Sequence, residues 1–256
     1  MKDKTIIILA RKVKSTNIVY NSLKNDFPVT KVILEEPAKI QFLKRRIKRL
    51  GFGKVFGQIL FKLLIVPFLK IAAKKRVQEI KKSFSLNDQP IDKSKIMNVP
   101  SVNSERTIRT LQKINPDVVI VNGTRIISDK VLSCIPAKFI NIHAGITPQY
   151  RGVHGAYWAL VENNQDACGV TVHFVDPGID TGTILEQGII SPKKEDNFVT
   201  YPLLQLGVGI PLLKKAIRDF FEDRIEIKSY PKQQSKLWTH PTMLEYLRYK
   251  KQCGVK

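Results

Sequence analysis

The amino-acid sequence predicts an α/β protein with an open, mostly parallel, twisted sheet and helices on both faces. Short apolar, β-branched runs such as Thr5–Ala10 and Val118–Val121 are typical of strands that are buried on both sides. Segments with helical spacing of apolar residues lie between such runs, as in Ser104–Ile114. Strands that alternate with helices along the chain indicate an open α/β sheet.

A strand, a helix and a second strand open the chain. Thr5–Ala10 is followed by a helix that Ser15 or Thr16 caps and that runs to about Lys24, and Val29–Leu34 is the next strand. The same patterns predict strands at Phe139–His143, Gly169–Val175 and Thr183–Ile190, and a long helix at Tyr201–Phe221.

A basic insertion at about 38–95 separates the second strand from the helix at Ser104. The chain has a formal net charge of +21, and residues 41–82 hold 13 Lys or Arg and one acidic residue, Glu79. A charge of this size calls for an anionic partner. Gly51, Gly53 and Pro67 predict breaks between two or three amphipathic helices.

The sequence leaves three interpretations of this insertion open. It is a solvated helix face, a peripheral contact with an anionic membrane surface, or a wall that binds nucleotide phosphates. A membrane span is not expected, because the uncharged segment Leu63–Leu69 is seven residues long and a crossing needs about 20 apolar residues.

The cysteines and the N-terminus favour the cytoplasm. Cys134, Cys168 and Cys253 are far apart and lack CxxC spacing, so neither a disulfide framework nor a metal site is expected. The apolar run Ile6–Ala10 is too short for the core of a signal peptide. We therefore expect a cytoplasmic protein, with peripheral contact at the inner face of the membrane as an additional expectation.

Three polar residues stand out among the predicted strands and turns. Asn141 and His143 are two apart on one strand, so their side chains share a face of the sheet. Asp180 lies in the turn DPGIDTG, residues 176–182, whose glycines permit a tight loop back toward the same crevice. Each of the three has a structural explanation when taken alone, such as a turn cap or an Asx turn. Their joint spacing favours a reactive site.

This trio suits acyl transfer to an amine. A carboxylate beside His143 raises the affinity of the imidazole for a proton. The Asn141 amide and the imidazolium are then able to donate to a developing oxyanion, while Asp180 keeps His143 charged and helps to take a proton from the amine. No Ser, Cys or Lys is placed as a covalent nucleophile, which favours direct attack by the amine.

The motifs at these positions resemble those of the folate-dependent formyltransferase family. The resemblance covers roughly 116–221 and includes, in the order and spacing of that family, Asn141-x-His143, Pro148, Arg151-Gly152 and Asp176-x-Gly178-x-Asp180-Thr181-Gly182. It implies a Rossmann-like formyltransferase fold, with a catalytic domain at 1–223 and a short C-terminal extension at 224–256. It also implies that Asn141, His143 and Asp180 are the catalytic residues and that 10-formyltetrahydrofolate is the co-substrate, without a metal.

The same resemblance implies two loops that bind the co-substrate. The segment GTRIIS resembles the loop whose backbone contacts the pterin, and the start of the DPGIDTG turn closes the other side of the slot. The expected cofactor-binding residues are Gly123, Arg125, Ile126, Ile127, Val175, Asp176 and Gly178.

The acceptor side departs from the family pattern. The usual Ser-Leu-Leu-Pro after the histidine is replaced by Gly145-Ile146-Thr147-Pro148. Lys12 and Lys14 precede the first helix and are expected to bind a phosphate through their charge and the helix N–H groups. The other expected substrate contacts are Tyr150, Arg151 and His154; His154 is otherwise a helix-start residue, and His173 is expected in the core or behind the site.

Three functions remain open on these grounds. The first is formylation of the primary amine of a nucleotide-linked amino-deoxy sugar, by an enzyme expected to be a homodimer and to bind no nucleic acid. The second is phosphoribosylglycinamide formylation in purine synthesis, which the glycine-free segment ARKVKSTN disfavours. The third is an inactive homologue that binds lipid or nucleic acid through the basic insertion. The residues after Phe221 are too few for the RNA-binding barrel expected in a methionyl-tRNA formyltransferase.

Overall fold

A mixed sheet lies at the centre of the protein, whose structure here is a computed structural model that describes residues 4–37, 40–227 and 234–256. Its strands, numbered along the chain, are β1 (Ile6–Arg11), β2 (Val29–Glu35), β3 (Ile96–Val99), β4 (Val118–Asn122), β5 (Lys138–His143), β6 (Arg151–Gly152), β7 (Gly169–Phe174), β8 (Ile184–Ile189) and β9 (Leu237–Trp238). Seven of them form one sheet in the order β3-β2-β1-β4-β5-β7-β8, and β6 pairs with β9 in a separate ladder.

The sheet is mostly parallel, which confirms the predicted fold class. The strands β3, β2, β1, β4 and β5 run parallel, whereas β7 is antiparallel to β5 and β8. The chain moves from β1 outward to β2 and β3 and then returns to β4 on the other side of β1. Between β1 and β4 the strand order therefore reverses, and such switch points are where open α/β sheets bind ligands.

Helices cover both faces of this sheet. They are α1 (Lys14–Leu23), α2 (Ile40–Leu50), α3 (Phe52–Leu60), α4 (Val66–Ala72), α5 (Lys74–Ser83), α6 (Glu105–Ile114), α7 (Asp129–Leu132), α8 (Gly155–Val161), α9 (Tyr201–Phe221) and α10 (Met243–Cys253). One apolar cluster joins α1, α8 and α9 to strand residues such as Ile8 and Ile140. The other joins α6 and α7 to residues of opposite parity, such as Leu9 and Phe139.

The start of α1 differs from the prediction. The residue before the helix is Val13, and no side chain caps the first turn. The Thr16 hydroxyl instead donates to the Arg11 carbonyl at 2.6 Å and accepts from the Asn122 amide at 3.1 Å. Thr16 therefore connects the helix to the ends of β1 and β4, a long-range contact that leaves the hydroxyl unavailable for capping.

The insertion contains a long continuous helix, contrary to the predicted breaks at Gly53 and Pro67. Gly51, at a φ of 82°, does separate α2 from α3. From Phe52 to Ala72 the chain stays helical through α3, a π turn at Phe61–Ile65 and α4. Pro67 comes directly after the π turn, so the break in α-helical hydrogen bonding that a proline causes falls beside a turn that already departs from the α-helical pattern.

By length and composition this helix is able to cross a membrane. It has 21 residues and a mean hydropathy of 1.9, and 17% of its most apolar window is buried inside the structure. The sequence interpretation counted only uncharged runs and so underestimated this segment, because its lysines interrupt those runs without removing the apolar character of the whole helix. The expectation that it does not cross a membrane stays a prediction. The start of the insertion at residues 38 and 39 lies outside the described residues.

The described part of the tail packs against the insertion and the loop that carries β6. Tyr246 of α10 is buried, and its ring lies 5.0 Å from that of Phe61 in the long helix. A capping box formed by Thr242 and Glu245 begins α10. The boundary at 223 and 224 stays a prediction, and residues 228–233 of the tail lie outside the described residues. The sequence interpretation missed β3, β6, β9, α7 and α10, and of α8 it expected only the start, at His154.

Candidate active site

The three residues of the predicted trio come together at the end of β5. The Oδ1 atom of Asp180 lies 3.3 Å from the Nδ1 atom of His143 and 3.5 Å from the Nδ2 atom of Asn141. Its Oδ2 atom accepts from the Gly152 backbone N–H at 2.8 Å. Asp180 adopts a φ of 52°, the left-handed conformation that Asp and Asn tolerate better than most residues. The tight DPGIDTG turn thus returns the carboxylate to the crevice as expected, and the catalytic roles stay a prediction.

Both ring nitrogens of His143 face acceptors. Nδ1 faces the Asp180 carboxylate, and Nε2 donates to the Tyr150 carbonyl at 2.8 Å. Burial of the ring lowers the pKa of His143, but the Asp180 charge, the hydrogen bond to it and the Tyr150 carbonyl outweigh burial and raise the pKa overall. A neutral ring would turn a lone pair toward one of these acceptors. The geometry therefore favours an imidazolium.

The carboxylate responds in the complementary direction. Burial raises the pKa of Asp180, but the His143 charge and hydrogen bond, together with the Gly152 backbone N–H, lower the pKa well below its ordinary value of 3.8. Asp180 and His143 are therefore held as a buried ion pair, and such a pair needs further hydrogen bonds to offset its desolvation. The Gly152 and Tyr150 backbone groups supply them.

Gly145 permits the close approach of the Tyr150 carbonyl to His143. A Cβ atom at position 145 would lie 2.3 Å from that carbonyl oxygen and 2.8 Å from the Nε2 atom of His143. The replacement of serine by glycine in the GITP segment therefore has a steric reason in this chain. Gly152 is also required, because it has a φ of 95° and its Cβ would lie 2.3 Å from the Trp238 carbonyl oxygen.

His173 supports the trio from β7. It pairs with Asn141 across the sheet, and its Nε2 atom lies 3.1 Å from the Nδ2 atom of that residue. Its Nδ1 atom donates to the Phe174 carbonyl at 2.7 Å, which leaves Nε2 to accept from Asn141. His173 is buried, and its hydrogen bond orients the Asn141 amide. This place agrees with the expectation that His173 lies in the core or behind the site.

The predicted pterin loop, residues 123–128, follows β4 and is fixed by two residues that the sequence interpretation missed. The buried Glu35 accepts from the Arg125 backbone N–H at 2.8 Å and pairs with the Arg125 side chain at 3.4 Å. Asn103 donates to the Ile126 carbonyl at 2.9 Å and accepts from the Ser128 N–H at 2.8 Å. Glu35 is the last residue of the parallel strand β2, on the side of the sheet where the crevice lies. Its position in the sequence could therefore have identified it as a residue near the site.

The other expected cofactor-binding residues lie within this loop or in the turn that faces it. Gly123 has a φ of 66° with open space where a Cβ would lie, and the Ile126 side chain is 53% exposed. Ile127 is buried in the cluster against which Val175 packs. The Asp176 carboxylate accepts from the Gly178 N–H and the Thr181 hydroxyl, which holds the turn before Asp180.

Among the predicted substrate residues, Tyr150 and His154 have their rings engaged elsewhere. The Tyr150 hydroxyl donates to Glu162 at 3.0 Å, and its ring is 2% exposed. The Tyr150 carbonyl, and not its hydroxyl, is the part that reaches His143, and substrate contact by this residue stays a prediction. His154 begins α8, and its Nε2 atom lies 2.9 Å from the Nδ1 atom of His240. Burial and His240 lower the pKa of His154, so the imidazole is neutral.

Arg151 and the two lysines remain at the edge of the crevice. Arg151 donates to the Ile179 carbonyl at 3.2 Å, and its buried Nε makes no hydrogen bond within the described part of the chain. Lys12 is exposed, and Lys14 is exposed with its Nζ 3.8 Å from Asp88. Both lysines flank the start of α1 at the switch point between β1 and β4.

The tail holds the loop that contains Arg151 and Gly152. Trp238 donates to the Gln149 carbonyl at 3.2 Å, and its ring stacks on Trp158 with centroids 4.6 Å apart. β9 pairs directly with β6. The conformation of the acceptor-side loop therefore depends on residues that lie about 90 positions later in the sequence. Across residues 4–37, 40–227 and 234–256, no group of three His, Cys, Asp or Glu residues is arranged to hold a metal ion.

Curated relatives share part of this chain. A methionyl-tRNA formyltransferase from Clostridium tetani is 30% identical over 203 residues, which cover 75% of this chain and 59% of the relative. One from Syntrophus aciditrophicus is 32% identical over 124 residues, or 48% of this chain and 39% of the relative. The chain thus spans about half the length of these relatives.

Solved structures share the fold. A sugar N-formyltransferase from Shewanella sp superposes with a TM-score of 0.56 at 14% identity and covers 91% of this chain and 76% of its own. A glycinamide ribonucleotide transformylase from Symbiobacterium toebii gives 0.56 at 21% identity, with 88% and 91% covered. The family model described as formyl transferase matches residues 67–201, more than half of the chain, including all three residues of the trio. The chain therefore belongs to the formyl transferase family.

Proposed function

We propose that this protein transfers a formyl group from 10-formyltetrahydrofolate to the primary amine of a nucleotide-linked amino-deoxy sugar. The observation that carries formyl transfer is the buried contact of Asn141 and His143 with Asp180 at the end of β5. Family membership supports the same reaction class. We place the reaction in the cytoplasm and expect a homodimer, as the resemblance to sugar N-formyltransferases implies.

The residues beside the trio fit a flat co-substrate. The loop at 123–128 offers open space above Gly123 and the exposed apolar side chain of Ile126. Val121, just before this loop, is paired with Asn141 across β4 and β5. When bound, 10-formyltetrahydrofolate supplies a formyl group on a nitrogen that is able to leave. No metal ion is needed in this proposal.

Each residue of the trio has a distinct task. The Asn141 amide donates one N–H to His173, and we assign the second, which makes only the long 3.5 Å contact with Asp180, to the formyl oxygen. His143 presents a positive charge where negative charge develops on that oxygen. Asp180 keeps His143 protonated and lies where it is able to receive a proton from the attacking amine. In this proposal the amine would attack the formyl carbon directly, and the proton that the amine loses would pass by way of Asp180 to the folate nitrogen as the bond between that nitrogen and the formyl carbon breaks.

The acceptor proposal depends on the basic edge of the crevice. Lys12 and Lys14 lie at the start of α1, where no side chain caps the helix N–H groups. Helix N-termini with nearby cations bind phosphate groups well. Arg151, with its unpaired Nε, lies next to the Gly152 contact to Asp180. A nucleotide diphosphate bound at Lys12 and Lys14 would leave the sugar amine to reach the part of the crevice beside Arg151 and Asp180.

An acceptor panel tests this assignment. Full-length protein with 10-formyltetrahydrofolate is expected to add one formyl mass to a nucleotide-linked amino sugar, as seen by mass spectrometry. Phosphoribosylglycinamide and methionyl-tRNA are included, the second because the curated relatives carry that name. Formylation of either in place of the sugars would refute the sugar assignment while retaining formyl transfer. No product with any amine would favour the alternative of an inactive lipid- or nucleic-acid-binding homologue.

Replacement of Asn103 tests the proposed co-substrate loop. Asn103→Ala removes the hydrogen bonds to the Ile126 carbonyl and the Ser128 N–H, so the loop loses its defined position. We expect the KM for 10-formyltetrahydrofolate to rise about tenfold, which corresponds to roughly 1.4 kcal/mol, with a smaller change in kcat. Steady-state kinetics with varied co-substrate measure this effect.

The matched control is Asn98→Ala, at an exposed position of the edge strand β3. It makes the same chemical change away from the loop and is expected to leave the KM unchanged. An equal KM for Asn103→Ala and wild type would show that residues 123–128 do not position the co-substrate.

A further inference from the structure

The long helix of the insertion exposes a row of large apolar side chains, here named the apolar face. Its members are between 38% and 74% exposed: Phe52, Phe56, Ile59, Leu63, Leu64, Phe68 and Ile71. The opposite side of the helix is used for packing, because Val55, Gln58 and Phe61 are almost completely buried. Single exposed apolar residues are ordinary, but seven on one helix mark a contact surface.

Lysines border the apolar face along its length. Lys54, Lys62 and Lys70 are exposed on the helix itself, and the exposed Lys74, Lys75 and Lys82 follow in α5. An open depression of about 630 Å³ lies at the end of the helix, and its lining includes Ile71, three lysines (Lys74, Lys75 and Lys82) and one carboxylate, Glu79. The only acidic residue between positions 41 and 82, Glu79, is 3.5 Å from Arg76 in an ion pair. An anionic partner therefore meets little opposing charge here.

The connections of the helix favour a position along a membrane surface over a crossing. The insertion leaves the sheet after β2 and re-enters it at β3, and these two strands are neighbours in register. A single crossing would place β3 and the rest of the catalytic core on the opposite side of the membrane from β1 and β2. Within residues 4–37, 40–227 and 234–256 no second helix meets the length and hydropathy needed for a return.

We propose that the apolar face docks onto an anionic lipid bilayer, with the long helix lying in the plane of the interface. Aromatic and aliphatic side chains enter the boundary of the acyl chains, while the bordering lysines bind headgroup phosphates. A second copy of the chain fits less well, because a symmetric contact would place this basic patch against itself. Nucleic acid would leave the apolar side chains without a partner. The proposal does not depend on formyl transfer.

Vesicle co-sedimentation of the full chain tests the docking. Wild-type protein is expected to bind phosphatidylglycerol/phosphatidylcholine vesicles at least tenfold more tightly than vesicles of phosphatidylcholine alone. The double variant Phe68→Glu/Ile71→Glu is expected to lose at least tenfold in binding. Ile227→Glu is the matched control, since Ile227 is 72% exposed and Ile71 is 74% exposed; it is expected to bind as wild type. Lys74→Gln and Lys75→Gln are each expected to weaken binding to anionic vesicles about fivefold.

Any of three results would overturn the proposal. The first is equal binding to both vesicle types, and the second is wild-type binding by Phe68→Glu/Ile71→Glu. The third is an absence of vesicle binding; together with a dimer that Phe68→Glu/Ile71→Glu converts to monomer in analytical ultracentrifugation, it would assign the face to a second copy. Hydrogen exchange on the wild-type chain tests the same docking without any variant, so misfolding of a variant cannot affect the result. Anionic vesicles are expected to increase protection at 52–72, and unchanged protection there would also count against docking.

Discussion

Asn141→Ala is expected to reduce the kcat for formyl transfer by about 10²–10³-fold, the effect of removing one oxyanion donor. The amide lies between His173 and Asp180, and Ala leaves the formyl oxygen without that N–H. Pre-steady-state or steady-state formylation of the accepted amine measures the loss. The KM for either substrate should change much less, because the interaction is made mainly in the transition state.

The Asn98→Ala variant again provides the matched control, because it removes the same side chain from an exposed strand position. Thermal unfolding separates chemistry from folding, since Asn141 is partly exposed and Ala creates no large cavity. A kcat for Asn141→Ala within threefold of wild type, with the fold intact, would remove Asn141 from the catalytic residues.

Asp180→Asn is expected to lower kcat by about 10²–10⁴-fold and to move the basic limb of the pH profile to lower pH. The variant keeps an oxygen to accept from Gly152 and a residue type that tolerates a positive φ, so the turn should persist. It loses the negative charge that holds the pKa of His143 above 6.5. His143 then becomes neutral at lower pH, and the imidazolium that the reaction needs is lost earlier.

The ion pair also gives stability a defined pH dependence. The pKa of His143 is raised, so its contribution is present below 6.5 and is lost as the pH rises through the folded-state value. The pKa of Asp180 is lowered, so its contribution is present above 3.8 and is lost as the pH falls through the folded-state value. Asp180→Asn should weaken both of these pH dependences of the free energy of unfolding, and urea unfolding at several pH values measures them.

The kcat profile gives a separate check. If the pH profile of kcat in Asp180→Asn is not shifted, the assigned charge state of His143 is contradicted.

Strand periodicity predicted most of the sheet because buried parallel strands have a local pattern. The β1 and β4 segments are apolar up to their last residues, Arg11 and Asn122. Asn141 and His143 share a face because alternate residues of any strand do. Edge strand β3 escaped prediction, since its short sequence with an exposed Asn98 lacks that pattern. The two-residue strands β6 and β9 exist only through their pairing with each other.

The long helix shows how a local rule can mislead. Gly53 and Pro67 are helix breakers by propensity, yet the chain remains helical because a π turn precedes Pro67 and the buried side contacts the tail. Gln58 donates to the His240 carbonyl, and the Phe61 ring packs on Tyr246. Tertiary packing supplies more helix stability than propensity does. Counting uncharged runs likewise missed the apolar character of the whole segment, because three lysines divide it.

The sequence by itself determined the fold class, the family resemblance and the identity of the trio, because strand periodicity and motif spacing are properties of short segments. Only the tertiary structure decided that both nitrogens of His143 face acceptors, that Tyr150 contributes its carbonyl, and that Trp238 holds the acceptor-side loop. The tertiary structure also showed which side of the long helix is exposed. The physical reason is the same in each case: these contacts join residues whose separation along the chain, or whose side-chain direction, carries no local signal.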